Sequence, residues 1–498
     1  MIISSPSARA FVRVLNTLNN YCVQTPRLIV FALYFLPRMS LIDPQIFRAY
    51  DIRGKAHEKL TEDVCRLIAC AFGSILRERT GKDHPRICVG RDARTHGHLF
   101  ERAVIEGLLS TGCSVTTIGE TPSPVNYFTV CTQNFDGGVQ VTASHNPAED
   151  NGLKLTTAHA HSFSGDDIQN LKRRIEIGGF LHGEGMEESY DAITPYREHL
   201  TKVFSSCGKE MTVAVDYGNS VAGPCYGSVL QSIGCEIHAL YAEPDGTFPN
   251  HPADPSKRET LKELQDLVQE KKCTLGLAFD GDGDRLGIVD DRGNIVSADH
   301  ILLLLAKDHL ERLPGKPVVF TVSNSSILET EIRAWGGAPV MTKVGHPSVE
   351  HALEEHGALL GGEQSGHFFC GENYFLFDDA LVAALRILTI LQKKNISLSA
   401  LLQEFPPVYQ AEERRPACPD EEKAQIIEKV KRHFLKNHLV NTLDGVRIDF
   451  GDGAWAGIRQ SNTSPCISIC AEARSTKKLQ EVEETILMHL KSYNVLSW

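Results

Sequence analysis

Leu275-Gly276-Leu277-Ala278-Phe279-Asp280-Gly281-Asp282-Gly283-Asp284-Arg285-Leu286-Gly287-Ile288-Val289 is the stretch on which the reading of this chain turns. Two apolar runs, strand-like by length and composition, bracket an acidic loop. In that loop three carboxylates alternate with two glycines, and a guanidinium closes the run. In an extended loop alternate side chains point the same way, which predicts that Asp280, Asp282 and Asp284 converge on one point. The glycines allow the backbone to fold tightly around it. Hard oxygen donors with no His or Cys among them favour a magnesium-type cation, and Arg285 beside them suits a phosphate sharing that metal. A helix-loop-helix calcium site also opens D-x-D-x-D, but it needs Gly at its sixth position and Glu at its twelfth. Those positions hold Arg285 and Asp291 here, and the flanks are strand-like. On this run alone a solvated acidic turn stays open.

Outward from that loop, the chain has 498 residues, enough for three or four domains at about 150 residues each. It is 42% hydrophobic and 23% charged, an ordinary soluble composition. A net charge of −12 argues against a nucleic-acid partner, because such domains are usually basic, while leaving room for anionic substrates in a cleft lined by arginines. Fourteen cysteines are scattered singly with no C-x-x-C pair, which reads as reduced, buried thiols in a cytoplasmic protein. Residues 1–38 look foreign to the rest. The apolar run 28–36 is too short to cross a bilayer. Pro26 and Arg27 break up the segment ahead of that run, no cleavage site follows it, and Met39 opens an ordinary start. The segment is expected to be a non-homologous extension, disordered or an over-long start, rather than a targeting or membrane segment.

Strand-helix alternation runs through three blocks. The first has strands at 87–90, 114–118 and 138–141 with a helix at 99–109. The second has a strand at 213–216, a helix at 259–271 and the acidic-loop strands. The third opens with a strand at 317–322. After Pro406-Pro407 the pattern changes to a helix at 421–435, strands at 446–450 and 466–470, and a closing helix at 477–493. The fold class expected is α/β: three similar mixed-sheet α/β domains plus a smaller C-terminal α+β domain. The borders drawn are 39–188, 189–296, 297–406 and 407–498.

Three further motifs carry chemistry. Thr142-Ala143-Ser144-His145-Asn146-Pro147 follows a strand and presents a serine that could be a nucleophile or a phosphate carrier. His145 is adjacent only in sequence, the G-x-S-x-G elbow is absent, and a turn closed by Pro147 with Ser144 and Asn146 as backbone caps is the plain alternative. Gly362-Glu363-Gln364-Ser365-Gly366-His367 offers a carboxylate, a hydroxyl and an imidazole suited to sugar hydroxyls, or else a solvated tight turn. Arg459-Gln460-Ser461-Asn462-Thr463-Ser464-Pro465 makes an anion nest of one guanidinium, hydroxyls and turn N–H groups, or a hydroxyl-rich turn before proline. Near the start, Arg48-Ala49-Tyr50-Asp51-Ile52-Arg53-Gly54 adds two guanidiniums and a phenol.

In this order and spacing the four loops resemble the α-D-phosphohexomutase superfamily, and within it the bacterial phosphomannomutase/phosphoglucomutase group, from about Pro44 to the C-terminus. The resemblance implies reversible phosphoryl transfer between the 1 and 6 positions of mannose and glucose phosphates. A phosphoserine at Ser144 would carry the group, glucose 1,6-bisphosphate would be activator or intermediate, and Mg2+ would lie between Ser144 and Asp280, Asp282 and Asp284. Arg285 would support the phosphoserine. Arg53, His145, Lys154 and His367 would line the reacting centre, with Arg53, Lys154 and His367 favoured for proton transfer, although arginine is a poor base. Tyr50, Lys343, His346, Glu363, Ser365, Arg459, Ser461, Asn462, Thr463 and Ser464 would hold the substrate. Hexose phosphates are the partners implied, on a monomer or weak dimer with a mobile fourth domain.

Some positions depart from the family pattern. Ser323 stands where close relatives can carry a lysine, and Gln364 replaces a Met. Thr95-His96-Gly97 is a variant with no clear consequence. The G-E-Q-S-G-H form also occurs in phosphoglucosamine mutases, whereas S-N-T-S-P does not follow their S-G-T-E-P style. The alternatives are therefore a phosphoglucosamine mutase or, in another class, a non-catalytic sugar-phosphate sensor.

Overall fold

A computed structural model describes residues 42–205, 207–461 and 464–498. The extension expected at 1–38 lies outside the described residues.

The first sheet contains β1 (Ile52–Lys55), β2 (Arg86–Arg91), β3 (Ser114–Glu120), β4 (Gly137–Val141), β5 (Asp150–Thr157) and β6 (Glu187–Ser189), in the order β1-β5-β4-β2-β3-β6. The second contains β7 (Thr212–Asp216), β8 (Glu236–Leu240), β9 (Leu275–Phe279), β10 (Leu286–Val289) and β11 (Ile295–Val296), in the order β11-β10-β9-β7-β8. The third contains β12 (Pro317–Thr321), β13 (Ala338–Thr342), β14 (Leu360–Gly362) and β15 (Phe368–Cys370), in the order β13-β12-β14-β15.

All three share a local plan. A central strand (β2, β7 or β12) has parallel neighbours on both sides, and one of those neighbours turns back through a hairpin into an antiparallel strand (β4 to β5, β9 to β10, β14 to β15). The serine motif, the acidic run and the Glu363–His367 motif occupy that same hairpin in the three successive domains. The fourth sheet is wholly antiparallel, β16 (Tyr409–Gln410), β17 (Val440–Asn441), β18 (Val446–Asp449), β19 (Trp455–Gln460) and β20 (Ile467–Ala473), and two helices, Asp420–Phe434 and Thr476–Leu490, pack on it. Its Arg459–Pro465 motif again spans a hairpin, from β19 to β20.

The fold class expected from sequence is therefore the one observed. The strands that carry the first three loops are covered on both faces by helices, so they read as continuous apolar runs; every residue of β9 and β10 is buried. Burying one such Leu, Val or Phe side chain contributes about 1.5–3 kcal/mol. One apolar cluster reaches through the first three domains, from Val125 and Phe128 through Val215 and Leu277 to Leu302, Phe320 and Leu385, while the first domain buries a further cluster of its own around Ile68, Phe72, Ile87 and Val104. The fourth domain buries its own cluster around Ile427, Ile448, Ile458 and Ile486. Among the described residues no helix is long and apolar enough to cross a membrane, and the cysteines are free and mostly buried.

Candidate active site

The three hairpins of the first three domains meet at one place. Ser144 is buried and adopts φ 51°, a left-handed backbone unusual outside glycine and a common mark of functional strain. Its Oγ donates to Asp280 Oδ2 at 2.7 Å and lies 3.1 Å from His145 Nδ1. The polypeptide on the far side is equally close, since a Cβ on Gly281 would sit 2.3 Å from the Ser144 carbonyl oxygen. Only glycine fits there. The serine is thus within bridging reach of an acid 136 residues away.

The acidic run converges, but by a different geometry from the one its alternation predicts. Residues 280–284 form a tight turn rather than an extended loop, with Gly283 at φ +76° and its N–H donating to the Asp280 carbonyl at 3.2 Å. Asp280 Oδ1 accepts the N–H groups of Asp284 and Arg285 at 3.0 and 3.1 Å. One oxygen from each of Asp280, Asp282 and Asp284 lies within 4.8 Å of the others, and all three side chains are buried. Burial, reinforced by Asp284 and Asp282, pushes the Asp280 carboxyl well above the usual carboxylate range. Burial works against ionisation of Asp284 as well, yet Lys154 and His367 beside it hold it well below that range.

Lys154 reaches in from β5 and donates to Asp282 Oδ2 at 2.6 Å and to Asp284. Burial opposes its charge, and the two aspartates more than offset that, keeping it an ammonium. Arg53 on β1 pairs with Asp51 at 2.6 Å and donates to the Ala143 carbonyl and Asn146 Oδ1, both at 3.0 Å, so it shapes the serine loop. His145 is desolvated and faces Arg285 and Arg53, which keep its pKa well below the ordinary histidine value and the ring neutral.

From the third domain, His367 sets Nε2 3.4 Å from Asp284 and Nδ1 3.4 Å from Glu363. Burial and Arg285 oppose its protonation; the two carboxylates prevail and lift its pKa to about 10. With His367 an imidazolium, the 3.3 Å approach of Arg285 Nε is a contact between two cations held by shared acids rather than a hydrogen bond. Ser365 Oγ lies 2.9 Å from His367 Nδ1. Glu363 is buried, and its Oε1 accepts the Gly345 N–H at 2.7 Å, which joins two expected substrate loops. His346 packs edge-on against Tyr50 with ring centroids 5.4 Å apart, and Lys343 is exposed on the same loop. Burial, then Asp51 and Glu363, pushes the Tyr50 phenol up to about 12.

The fourth domain faces this cleft. The field of Arg459 reaches Tyr50, where it opposes the rise in the phenol's pKa. Ser461 Oγ accepts the Ser464 N–H at 3.1 Å. Asn462 and Thr463 lie outside the described residues.

Several members of this constellation carry no motif signal. Arg94 is 1% exposed and spends all its donors on the serine loop: on Asp92 Oδ2 (3.1 Å) and the carbonyls of Ser144 (2.8 Å), Asn146 (2.7 Å), Pro147 (2.6 Å) and Asp150 (2.8 Å). Ser123 donates through its N–H (2.8 Å) and hydroxyl (2.5 Å) to Asp282, and Tyr226 donates to the Gly283 carbonyl at 2.6 Å, so neighbouring elements fix the acidic turn. His96 is not a neutral variant either: its Nε2 lies 3.2 Å from the Ala148 carbonyl and its Nδ1 accepts from Asn151 at 2.9 Å, bracing the same loop. The sequence hint for these residues is slight, namely the polar, turn-forming character of the segments Arg91–Thr95 and Thr121–Pro124.

Four family models, described as Phosphoglucomutase/phosphomannomutase alpha/beta/alpha domains I, II and III and C-terminal domain, match residues 44–181, 194–293, 297–409 and 413–488. The chain is 38% identical to a phosphomannomutase/phosphoglucomutase of Pseudomonas aeruginosa, over 90% of this chain and 96% of that one. It is 35% identical to a phosphoglucomutase of Neisseria gonorrhoeae, over 92% of this chain and 100% of that one. The crystal structure of a phosphoglucomutase/phosphomannomutase family protein from Burkholderia thailandensis superimposes with a TM-score of 0.85 at 34% identity, covering 92% of this chain and 100% of that one.

Proposed function

The chain belongs to the phosphoglucomutase/phosphomannomutase family, and from that premise we propose how its residues divide the work. It is an isomerase that moves a phosphoryl group between positions of hexose phosphates. Ser144 carries the phosphoryl group, and the mannose and glucose phosphates interconvert through a 1,6-bisphosphate. The observation that carries this assignment is the 2.7 Å separation of Ser144 Oγ and Asp280 Oδ2 inside a buried acidic turn.

A divalent cation fits the turn. Its donors are hard oxygens, and Asp282 Oδ1 is buried with no hydrogen-bond partner, an arrangement that costs free energy unless a cation answers it. Asp280, Asp282 and Asp284 would hold Mg2+, which would supply charge withdrawal from the phosphoryl group on Ser144. Lys154 already holds two of those aspartates, so its ammonium competes for the same oxygens.

The residues around the turn bind, balance and orient. Arg285, beside Asp280, and Arg53, bonded from β1 to the serine loop, would face the phosphoryl oxygens as fixed cations. Lys154 and His367 are both held protonated by their acids and suit proton donation to the leaving oxygen rather than proton removal. His145 is neutral, with Nδ1 near Ser144 Oγ. Tyr50, Lys343, His346, Glu363 and Ser365 line the sugar side, and Arg459 to Ser464 hold the phosphate that is not being transferred. The domain borders at 188/189, 296/297 and 406/407 and a cytoplasmic monomer or weak dimer belong to the same proposal.

The test is turnover of glucose 1-phosphate to glucose 6-phosphate, and of mannose 1-phosphate to mannose 6-phosphate, with Mg2+ and a trace of glucose 1,6-bisphosphate. Activity without steady release of inorganic phosphate is expected. Ser144→Ala should lower kcat by about 10⁴-fold or more while the protein stays folded. Its intact mass should lack the phosphoryl increment expected of the wild type, about 80 Da for PO3H added to one hydroxyl. A Ser144→Ala variant with near-normal turnover would remove the serine from the mechanism, and a preparation that acts only on glucosamine phosphates would move the specificity.

A further inference from the structure

A second group of metal-ligating side chains stands at the joint between the first and third domains, and it shares no residue with the acidic turn. His161 follows β5 in the first domain, and Glu350 and Glu354 lie on the helix His346–His356 of the third. The i, i+4 spacing puts both carboxylates on one face of that helix. His161 Nδ1 is 3.2 Å from Glu350 Oε1 and 2.9 Å from Glu354 Oε1. One ligand atom from each of the three lies within 4.8 Å of the others.

An ion pair accounts for this geometry only in part. A ring nitrogen carries one proton at most, and one N–H cannot point straight at two carboxylates. Two carboxylates four residues apart on a helix also repel each other. The hydrogen bond to Glu350, helped by the charge of Glu354, raises the His161 pKa against partial burial; a divalent ion supplies more positive charge at the same point than that single proton. Donors bound about 2.1 Å from one zinc-type ion lie about 3.0–3.4 Å apart at octahedral to tetrahedral angles, close to the two distances seen. Glu350 is held as a ligand must be: its Oε2 accepts the Ser162 hydroxyl at 2.5 Å and its Oε1 the Ser162 N–H at 3.0 Å.

The group is also within reach of solvent. The His161 and Glu354 side chains are 43% and 40% exposed, and with Glu350 they line a cavity of about 290 Å³. His159 lines the same cavity, its ring centroid 6.0 Å from that of His161. An imidazole with two carboxylates suits zinc and its first-row neighbours, whereas magnesium prefers oxygen alone.

We propose that His161, Glu350 and Glu354 form a second divalent-cation site, selective for a zinc-type ion over magnesium, that ties the first domain to the third.

The experiment is equilibrium dialysis of the full chain against Zn2+ in the presence of about a thousandfold excess of Mg2+, followed by metal analysis and melting curves. The wild type should keep a zinc ion that the magnesium does not displace. His161→Ala should weaken its affinity about 100-fold or more, and Glu354→Gln and Ser162→Ala about tenfold each. Both His161 and Glu354 are half-exposed, so their variants keep the fold. Zinc should raise the melting temperature of the wild type and of Asp282→Asn, and leave that of His161→Ala unchanged. A wild type that retains no zinc under excess magnesium would reduce the group to an ion pair and overturn the site. Zinc held equally by the wild type and His161→Ala would overturn it too, and its loss from Asp282→Asn would then place the ion in the acidic turn.

Discussion

The acidic turn and the phosphate loop are both glycine- or hydroxyl-rich hairpin connections, yet the molecule mounts them differently. Asp280, Asp282 and Asp284 are 0–1% exposed in a body where one apolar cluster reaches through three domains. Ser461 to Ser464 stand on a domain with a core of its own, joined to the rest through polar contacts. Arg447 lies 3.5 Å over the Trp455 ring and donates to the carbonyls of Asn324, at 2.9 Å, and Val322. Gln410 bridges Asp299 and Glu472 at 2.8 and 3.1 Å, and Asp444 accepts the Val344 N–H at 3.1 Å. Polar seams of this kind allow relative domain motion, whereas a shared apolar core resists it. The difference teaches a division of labour: the reacting groups need fixed positions to sub-ångström tolerance, while a clamp that must accept either end of a reorienting bisphosphate gains from being able to open.

The largest effect expected tests the rigid half. Asp282→Asn should lower kcat at least about 100-fold. Because the amide oxygen still accepts from Lys154 and Ser123 while the like-charge crowding that raises the Asp280 pKa is relieved, the same change should leave the melting temperature in EDTA close to that of the wild type. A melting point lowered as for a core mutation, with activity retained, would make the turn a structural device and dissolve the contrast.

Next comes the seam. Calorimetry is expected to resolve two transitions, the lower from the fourth domain. Arg447→Met should lower that transition by about 5–10 °C and raise KM roughly three- to tenfold, leaving the upper one in place. A single transition that moves as a whole would show the four domains to be one cooperative unit.

The smallest effect sharpens the assignment of the upper transition. Asp379 caps the helix Ala380–Lys394 and accepts from Tyr196 (2.9 Å) and Tyr374 (2.9 Å), inside the three-domain body. Burial raises its pKa to about 6. The folded state therefore binds a proton that the unfolded chain, near 4, gives up, so its contribution is fully present below about pH 4 and is lost as pH rises through about 6. Asp379→Asn should remove roughly 3 kcal/mol of that pH dependence from the upper transition alone. Melting curves between about pH 4 and 7 check it, and a change confined to the lower transition would contradict the assignment.

What could be read without coordinates was local. The acid-glycine alternation at 280–284, the Ser144 loop and the Arg459–Ser464 nest each declare their chemistry within six or seven residues. The switch after Pro407 from alternating strands and helices to an α+β pattern is visible as a change of period. Even there the local rule misjudged the geometry, since the aspartates converge through a turn at Gly283 and not through strand alternation. The rest depends on packing between elements far apart in the chain. That one hairpin recurs in three domains, that Ser144 meets Asp280 across 136 residues, that Lys154 meets Asp282 across 128 and that Arg94 gathers the serine loop were all decided when separate sheets buried their apolar faces against one another. Side-chain chemistry is a property of each residue and survives in the sequence; which partner completes it is fixed by the tertiary arrangement that hides the most apolar surface while leaving no buried charge unanswered.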